Sequence, residues 1–286
     1  MEKIKKLKKK FIKEKIDGYI VPKNDEFFGE YVSEDNDRLN YISNFSGSFG
    51  FALILKNSNY LFVDGRYTIQ ANYESGKFFK IITVPKKMPK DVLKNKKINI
   101  GYDPKLFSRK TLINFFGKNN CKFQAIKDNL IDKIWKRRVK NKTKYFYSLP
   151  NQHVGESYKV KINRVMKSLK KRGADFQFIT ASENNAWLLN IRGYDTKYSP
   201  IPNSYVLIDK YKNIKFFCDL KKIPISLKKK YKNIKFIEIG TAGIILSQIE
   251  KKKFIIDEKT CSLYFENLIL KKNKILKFHD IICTLK

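Results

Sequence analysis

One order of residues occurs twice along this chain of 286 residues. In each half an amphipathic stretch precedes a short apolar run, a loop with a glycine, two apolar runs joined by a polar turn, and an aspartate. Three pairs of residues mark the correspondence: Asp17 with Asp175, Gly47 with Gly193, and Asp64 with Asp219. Their offsets are 158, 146 and 155 residues, and the changes in offset fall in loops, where insertions are tolerated. This pattern predicts two related α/β domains in tandem.

Each copy opens with a basic amphipathic stretch. Apolar residues at intervals of three and four over residues 4–16 predict a surface helix, and the same spacing returns over residues 158–169. A helix that lies on a membrane would give a similar pattern. The short apolar strand that follows each stretch favours a helix docked on a β-sheet instead.

The remaining predicted elements alternate between strands and helices. In the first copy they are strands at 19–21, 49–55, 60–63, 97–102 and 121–126, a helix that begins after Asp64, a helix at 108–116 capped by Ser108, and a short helix at 129–135. In the second copy they are strands at 176–180, 205–208, 214–218, 234–239 and 254–256, with a helix between the last two. Hairpins mixed with helical crossovers predict an α/β fold in which two mixed β-sheets are flanked by helices.

The domain boundaries are expected at 1–138 for the first domain, 139–155 for a linker and 156–286 for the second domain. A polar stretch from residue 137 to 148, closed by Leu149-Pro150, marks the linker. The length of 286 residues agrees with two domains of about 100–200 residues each.

The net charge of +34 raises the question of nucleic-acid binding. Such a charge attracts nucleic acid because every neutralised phosphate releases counterions. However, only eight of the 61 basic residues are arginine, and the lysines are spread along the whole chain. Recognition of bases and phosphates favours arginine forks and clustered basic stripes. We therefore expect the charge to reflect overall composition, and nucleic-acid binding stays only as an alternative.

No segment has the sequence of a catalytic or metal site. The two histidines, His153 and His279, lie in no HExxH or HxH arrangement, and the four cysteines form no CxxC pair. We expect no catalytic residue, no metal and no cofactor in this chain. No apolar run approaches the roughly 20 residues of a membrane span, and no secretory signal is recognised. The expected location is therefore the cytoplasm, without a membrane partner.

Arg66 and an acidic patch at residues 25–37 stand out as candidate sites. Arg66 follows a predicted buried strand in a chain with few arginines, and its planar fork suits carboxylate and carbonyl groups. An ion pair with Asp64 or with the acidic patch explains Arg66 equally well. The acidic patch could hold a hard cation, but its composition favours a solvated loop that pairs with neighbouring lysines.

Several segments resemble the first two domains of the Xaa-Pro aminopeptidases, members of the "pita-bread" metallopeptidase superfamily. For the first domain these segments are Val21-Pro22-Lys23-Asn24-Asp25, Glu30-Tyr31-Val32, Arg38, Tyr41-Ile42-Ser43-Asn44-Phe45-Ser46-Gly47-Ser48-Phe49-Gly50 and Asp64-Gly65-Arg66-Tyr67. For the second domain they are Gly155-Glu156-Ser157, Lys161-Ile162, Gly173-Ala174-Asp175 and the run from Ala186 to Asp195. The resemblance implies that both copies have the creatinase/prolidase N-terminal fold.

The resemblance also implies a third, catalytic domain, which we expect to be absent from this chain. In the family that domain holds two metal ions, typically manganese, and their bridging hydroxide attacks the peptide bond before a penultimate proline. The implied partners are peptides with proline in second position and a second copy of the chain in a homodimer. Acting alone, this chain should be inactive.

The resemblance assigns Arg66 a substrate-binding role, because the family's matching arginine reaches across the catalytic cleft to bound substrate. Ser46 and Ser48, in the loop at residues 44–48, are weaker candidates at the cleft rim. Two positions depart from the family pattern: Phe27 stands where a histidine is frequent, and Phe62 where tryptophan is usual. Two alternatives stay open, a stand-alone peptide-binding module from a degenerate peptidase and a basic nucleic-acid-binding protein.

Overall fold

The structure, a computed structural model, describes residues 2–117, 119–136, 143–276, 278 and 280–286. The chain divides into two compact units. Unit 1 consists of Met1–Glu26 and Glu34–Lys140, and unit 2 of Phe27–Ser33 and Asn141–Lys286. Four residues of the expected linker, 139–142, and one of the two histidines, His279, lie outside the described residues. The described remainder of that linker belongs to unit 2.

Unit 1 is built around a six-stranded mixed sheet. Its elements, in chain order, are α1 (Glu2–Glu14), β1 (Gly18–Pro22), α2 (Arg38–Ser43), β2 (Phe51–Leu55), β3 (Asn59–Asp64), a 3₁₀ turn (Gly65–Tyr67), α3 (Thr68–Ser75), β4 (Lys80–Val84), α4 (Pro89–Val92), β5 (Asn99–Tyr102), α5 (Arg109–Phe116) and β6 (Lys122–Ala125). The strand order is β4-β3-β2-β1-β5-β6. Strands β1–β2 and β2–β3 pair antiparallel, whereas β3–β4, β1–β5 and β5–β6 pair parallel.

Unit 2 repeats this arrangement and adds to it. Its elements are β7 (Tyr147–Ser148), a 3₁₀ turn (Asn151–His153), α6 (Tyr158–Lys171), β8 (Phe176–Ile179), α7 (Ser182–Leu189), β9 (Ile191–Arg192), β10 (Tyr205–Asp209), β11 (Ile214–Cys218), a 3₁₀ turn (Leu220–Lys222), α8 (Ile225–Lys230), β12 (Ile234–Glu238), a 3₁₀ turn (Ile239–Thr241), α9 (Ala242–Ser247), β13 (Lys253–Ile256), α10 (Leu263–Leu270), β14 (Lys274–Ile275) and α11 (Ile281–Leu285). The large sheet has the order β12-β11-β10-β8-β13-β14, and β7 and β9 form a separate antiparallel pair.

The strand order and the pairing directions of the two large sheets are the same, position for position. The predicted α/β fold with two tandem homologous domains is therefore confirmed. The central strands β1 and β2 are buried along their whole length, as their continuous apolar sequences require. In each unit the amphipathic opening helix docks through its apolar stripe: Leu7 and Phe11 in α1, and Val165 and Leu169 in α6, are fully buried.

Local signals account for several element ends. Ser108 begins α5 by accepting the backbone N–H of Thr111, as the sequence predicts. Helices α2 and α7 both end at an asparagine in the left-handed region, Asn44 with φ 63° and Asn190 with φ 56°. The predicted helix at 129–135 is wrong, because residues 130–134 form hydrogen-bonded turns. There the Asn129 side chain accepts the N–H of Ile131, which is a local bond that competes with helix formation.

Candidate functional site

The turn after β3 fixes the backbone of Arg66. Strand β3 ends at Asp64, whose carboxylate accepts the backbone N–H of Arg66 at 2.9 Å and so caps the 3₁₀ turn. Helix α3 then follows directly. The predicted helix start after Asp64 is confirmed, and the cap means that the Arg66 main chain is held in place without help from its side chain.

The Arg66 side chain lies at the surface, over Asp64. Its Nε lies 3.2 Å from both carboxylate oxygens of Asp64, and an Nη lies 2.6 Å from Oδ2. The hydrogen bonds from Arg66 lower the pKa of Asp64, so the carboxylate stays ionised at neutral pH. The side chain of Arg66 is 75% exposed, and an ion pair so exposed contributes little stability. The guanidinium can therefore exchange Asp64 for another carboxylate or carbonyl group.

Ser48 lies beside the same turn. Its hydroxyl is 2.7 Å from that of Tyr67, and the Arg66 guanidinium lies 5.3 Å from the centre of the Tyr67 ring. A side chain at Gly47 would come within 2.3 Å of the Phe45 ring and 2.9 Å of the Tyr67 ring. Only glycine allows the loop to approach the turn this closely, which is why the loop and the turn meet here.

Ser46 binds helix α3. Its backbone N–H and its hydroxyl donate to the carboxylate of Glu74 at 2.8 and 2.7 Å. The amide of Gln70 donates to the Ser46 hydroxyl at 2.7 Å. Burial alone would raise the pKa of Glu74, but the bonds from Ser46 and Gln70 outweigh it and hold the pKa below its usual value. Ser46 thus anchors the loop, and Ser48 is the member that lies close to Arg66.

Sequence reasoning names Tyr67 only as part of the motif at residues 64–67, without a role, and it misses Gln70 and Glu74 altogether. The signal available for them is spacing, since Gln70 and Glu74 stand four apart on one helix, where side chains meet. Their bond, 3.1 Å from amide to carboxylate, confirms that contact. What the spacing does not predict is that the loop before β2 supplies Ser46 as the third member.

This arrangement suits binding rather than bond breaking. The cluster offers an exposed cation, three hydroxyl groups and an aromatic ring. One hydroxyl, that of Ser46, lies next to a carboxylate, but the lowered pKa of Glu74 makes that carboxylate a weak base for activating it. Burial raises the pKa of all four cysteine thiols, so they stay protonated at neutral pH. Among the residues that the structure describes, no group of three or more His, Cys, Asp or Glu side chains is placed to hold a metal ion. In the same part of the chain, no helix combines the length and apolarity of a membrane span.

Two carboxylates of the acidic patch form structural ion pairs. Asp37 caps α2 and pairs with Lys23, and Glu26 pairs with Arg38 at 2.7 Å. Arg38, only 3% exposed, also binds Asp132 at 2.9 Å. The expected pairing with lysine is therefore confirmed for Asp37, whereas Glu26 pairs with the buried Arg38.

The two departures from the family pattern fill apolar cores. Phe27 belongs to unit 2, where its ring stacks on Tyr205 with the centroids 5.3 Å apart. Phe62 is buried in unit 1 and stacks on Phe51 at 4.9 Å. Both rings act in packing.

Comparison with known proteins agrees with this fold. Two sequence profiles, both described as the Creatinase/Prolidase N-terminal domain, match residues 3–133 and residues 137–286. Xaa-Pro aminopeptidase 1 of Dictyostelium discoideum is 30% identical over 240 residues, which cover 78% of this chain and 38% of that protein. Xaa-Pro aminopeptidase ApepP of Drosophila melanogaster is 28% identical over 295 aligned residues, covering 95% of this chain and 46% of that protein. The chain thus spans less than half the length of these curated relatives.

One solved structure covers the whole chain. It is the X-prolyl aminopeptidase from Caenorhabditis elegans, described as a cytosolic enzyme with a di-nuclear active site, and it matches 100% of this chain and 51% of its own length. The TM-score is 0.89 at 23% sequence identity, which demonstrates a shared fold. With two profile matches that together cover both units, the chain belongs to the creatinase/prolidase N-terminal domain family, and its two domains correspond to the N-terminal region of Xaa-Pro aminopeptidases.

Proposed function

We propose that this chain is the substrate-contacting front portion of a metal-dependent Xaa-Pro aminopeptidase, which releases an N-terminal residue that precedes proline. The observation that supports this most strongly is the exposed guanidinium of Arg66. It sits on a capped turn at the end of a buried strand, in the Asp64-Gly65-Arg66-Tyr67 motif that resembles the family's. A rigid base with an exposed cationic tip is the geometry that positions a substrate group.

In this proposal the residues of unit 1 bind and orient, and the chemistry takes place elsewhere. Arg66 leaves Asp64 and donates to a carboxylate or carbonyl oxygen of the peptide. The Tyr67 ring contacts the Arg66 guanidinium, and the Ser48 hydroxyl forms a hydrogen bond with the Tyr67 hydroxyl. Because these contacts restrict how a peptide lies, they favour short peptides in one register.

The metal ions belong, in this proposal, to a further domain. The described residues do not fit a two-metal centre, since none of their carboxylate, thiol or imidazole groups cluster as ligands. Two metal ions, typically manganese, would supply an activated water when bound in that domain. The complete protein is proposed to act in the cytoplasm as a homodimer on peptides with proline in second position.

The experiment uses a polypeptide in which these two domains precede the catalytic domain. Arg66→Ala should lower kcat/KM for a tripeptide with proline in second position by about tenfold or more, which is about 1.4 kcal/mol. Arg66→Lys should recover part of the loss, because lysine keeps the charge but not the fork. Arg109→Ala is the matched control, since Arg109 is also an exposed arginine of unit 1 and lies on α5. An unchanged kcat/KM in Arg66→Ala would remove the proposed role.

A second measurement tests whether the catalytic centre lies in another domain. The purified 286-residue chain, supplied with manganese and the same peptide, should cleave nothing. Hydrolysis by this chain, with contaminating peptidases excluded by a mock purification, would contradict the proposal that the reactive centre lies in another domain.

A further inference from the structure

A cavity of unit 1, apart from the Arg66 turn, gathers positive charge around two aromatic rings. Its volume is about 480 Å³. Five lysines line it: Lys6, Lys9, Lys10, Lys133 and Lys136. Tyr41 and Trp135 form its aromatic wall. Tyr41 belongs to a segment that carries the family resemblance, but the proposed peptidase role uses none of these side chains.

The spacing of α1 explains why three of the lysines converge. Residues three and four apart on a helix are neighbours, so Lys6, Lys9 and Lys10 share one face while Leu7 and Phe11 are buried on the other. Like charges at this spacing repel each other and destabilise the helix slightly. A bound anion would remove that repulsion.

Only part of this charge is neutralised within the protein. Lys6 pairs with Glu2 at 2.5 Å, and Lys133 lies 3.4 Å from Glu14 and 3.5 Å from Asp128. For the other three lysines, Lys9, Lys10 and Lys136, the described part of the chain offers no carboxylate within ion-pair distance. The cavity therefore keeps a surplus of positive charge directed at one small volume, which raises the local concentration of anions.

The aromatic wall is held in a fixed position. The rings of Tyr41 and Trp135 stack with their centroids 4.6 Å apart and an angle of 16° between their planes. The Tyr41 hydroxyl donates to the backbone carbonyl of Ile134 at 3.1 Å, and the ammonium of Lys3 lies 4.7 Å from the centre of the Tyr41 ring. Trp135 covers one face of Tyr41 and Lys3 lies over the Tyr41 ring, so a nucleobase stacks on this wall by displacing the Lys3 side chain.

We propose that this cavity binds a nucleoside polyphosphate, with the phosphates on the lysines and the base against Tyr41 and Trp135. The volume decides between one nucleotide and a nucleic-acid strand. Pockets for single small ligands measure about 300–1,000 Å³, and this cavity of about 480 Å³ lies in that range. A strand needs a groove that follows about four or more nucleotides.

The test uses the full chain and two probes. Calorimetric titration should give saturable binding of ATP at physiological salt and weaker binding of inorganic tripolyphosphate, which has the phosphates but no base. In the variant Trp187→Phe, Trp135 is the only tryptophan, and its fluorescence should be quenched by ATP over the same concentrations. This quenching places the ligand at the aromatic wall.

Matched charge variants locate the phosphate contacts. Lys9→Gln with Lys10→Gln should weaken ATP binding by about tenfold, since two contacts to phosphate are lost. Lys5→Gln with Lys13→Gln changes the same helix by the same charge outside the cavity, and should change affinity less than about twofold. Circular dichroism verifies that both double variants keep the helical content of the parent chain.

Four results would overturn the proposal. ATP could fail to bind, tripolyphosphate could bind as tightly as ATP, or both pairs of lysine substitutions could weaken binding equally, which would indicate general charge attraction. A single-stranded RNA oligonucleotide that binds more tightly than ATP, with equal sensitivity to both pairs, would indicate nucleic-acid binding over the basic surface.

Discussion

The two units share their fold and individual hydrogen bonds within it. They differ in the side chains at one turn, which follows β3 in unit 1 and β11 in unit 2. Asp17 accepts the backbone N–H of Asn99 in unit 1, and Asp175 accepts that of Lys253 in unit 2, both at 2.9 Å. These matched bonds close the first strand of each copy onto its parallel neighbour. The shared part of the sequence is therefore what the fold itself requires.

At the turn the backbone is again the same. Asp64 and Asp219 each cap a 3₁₀ turn by accepting the N–H two residues later, from Arg66 and Lys221 respectively. Arg66 also grips Asp64 with its side chain, whereas the described residues give Lys221 no ion pair. The turn of unit 1 thus presents the planar, forked guanidinium of Arg66, and the turn of unit 2 presents the compact ammonium group of Lys221.

The loop beside the turn differs too. At the position of Ser46, unit 2 has Arg192, which donates to the backbone carbonyls of Ala186 and Ile191 at 2.7 and 3.0 Å. Arg192 also lies in β9, which pairs with β7. In unit 2 the bonds of Arg192 and the pairing of β7 with β9 therefore occupy the region beside the turn. In unit 1 the loop beside the turn presents exposed polar groups instead. The proposed substrate contact therefore rests on residues that the shared fold does not need.

The largest expected effect comes from a buried polar position that the units fill differently. Arg38 of unit 1 binds two carboxylates, while Asn184, at the matching position of unit 2, binds one, Asp280, at 2.6 Å. Arg38→Met removes the buried cation that Glu26 and Asp132 share and should destabilise unit 1 by about 3 kcal/mol. Asn184→Ala removes one donor to a buried carboxylate and should cost about 2 kcal/mol.

Each unit has its own fluorescent reporter for this measurement. Trp135 lies in unit 1 and Trp187 in unit 2, so single-tryptophan backgrounds separate the two unfolding transitions in urea. A larger loss for Asn184→Ala than for Arg38→Met would show that the paired charges of unit 1 add nothing over the amide of unit 2.

The next effect concerns the matched glycines. A methyl group at Gly193 would lie 2.8 Å from the Phe146 ring and 2.9 Å from the Cα of Pro202, while at Gly47 it would meet only rings. Backbone yields less readily than a side chain, so Gly193→Ala should cost about 2 kcal/mol and Gly47→Ala about 1 kcal/mol. Urea unfolding measures both. Equal losses would mean that both loops relax in the same way.

A third prediction uses pH. Burial raises the pKa of Asp280, against the bonds from Ile282 and Asn184. A carboxyl with a raised folded pKa contributes stability below its unfolded pKa of about 3.9, and that contribution is lost as pH rises through the folded value. Asp280→Asn removes this loss, so the variant should gain stability relative to the parent as pH rises above about 4. Asp103, whose pKa burial also raises, should give the same sign in unit 1.

Unfolding curves followed by Trp187 at several pH values measure the Asp280 effect. A difference between variant and parent that stays constant with pH would show that Asp280 is ionised throughout. We expect this effect to be smaller than the losses at Arg38 and Gly193.

The smallest stability effect is expected in the loop of unit 1. Ser46→Ala removes one hydroxyl bond to Glu74 but keeps the backbone bond, and should cost about 1 kcal/mol. Ser48→Ala removes a single exposed bond to Tyr67 and should cost about 0.5 kcal/mol. Urea unfolding followed by Trp135 fluorescence measures both losses of stability. A larger loss of stability for Ser48→Ala than for Ser46→Ala would contradict the assignment of Ser46 as the residue that anchors the loop.

The elements that follow from sequence are those whose physical cause is local. Strands β2 and β3 are apolar runs joined by a polar turn, and Ser108 and Asp64 cap helices because their side chains reach the first free N–H groups. The duplication was also predictable, because the same local causes recur in the same order. The position of Arg66 after a buried strand followed from these signals together.

What the sequence does not predict depends on contacts far apart in the chain. The pair β7–β9 has two residues in each strand, too few for any alternation to be recognised. Segment 27–33 belongs to unit 2 although it lies within the first half of the chain. The link between Ser46 and Glu74 needs α3 to dock before the loop can reach it. The lysine cavity likewise arises only when α1 meets the turns at residues 130–134.

The matched turns provide the most direct test of the claim that Arg66 contacts substrate. In the polypeptide that contains the catalytic domain, Arg66→Ala and Lys221→Ala remove one cation each from equivalent caps. With a proline-containing tripeptide, we expect kcat/KM to fall by about tenfold or more for Arg66→Ala and by less than about twofold for Lys221→Ala. Equal losses in the two variants, or none in either, would contradict a substrate contact specific to Arg66.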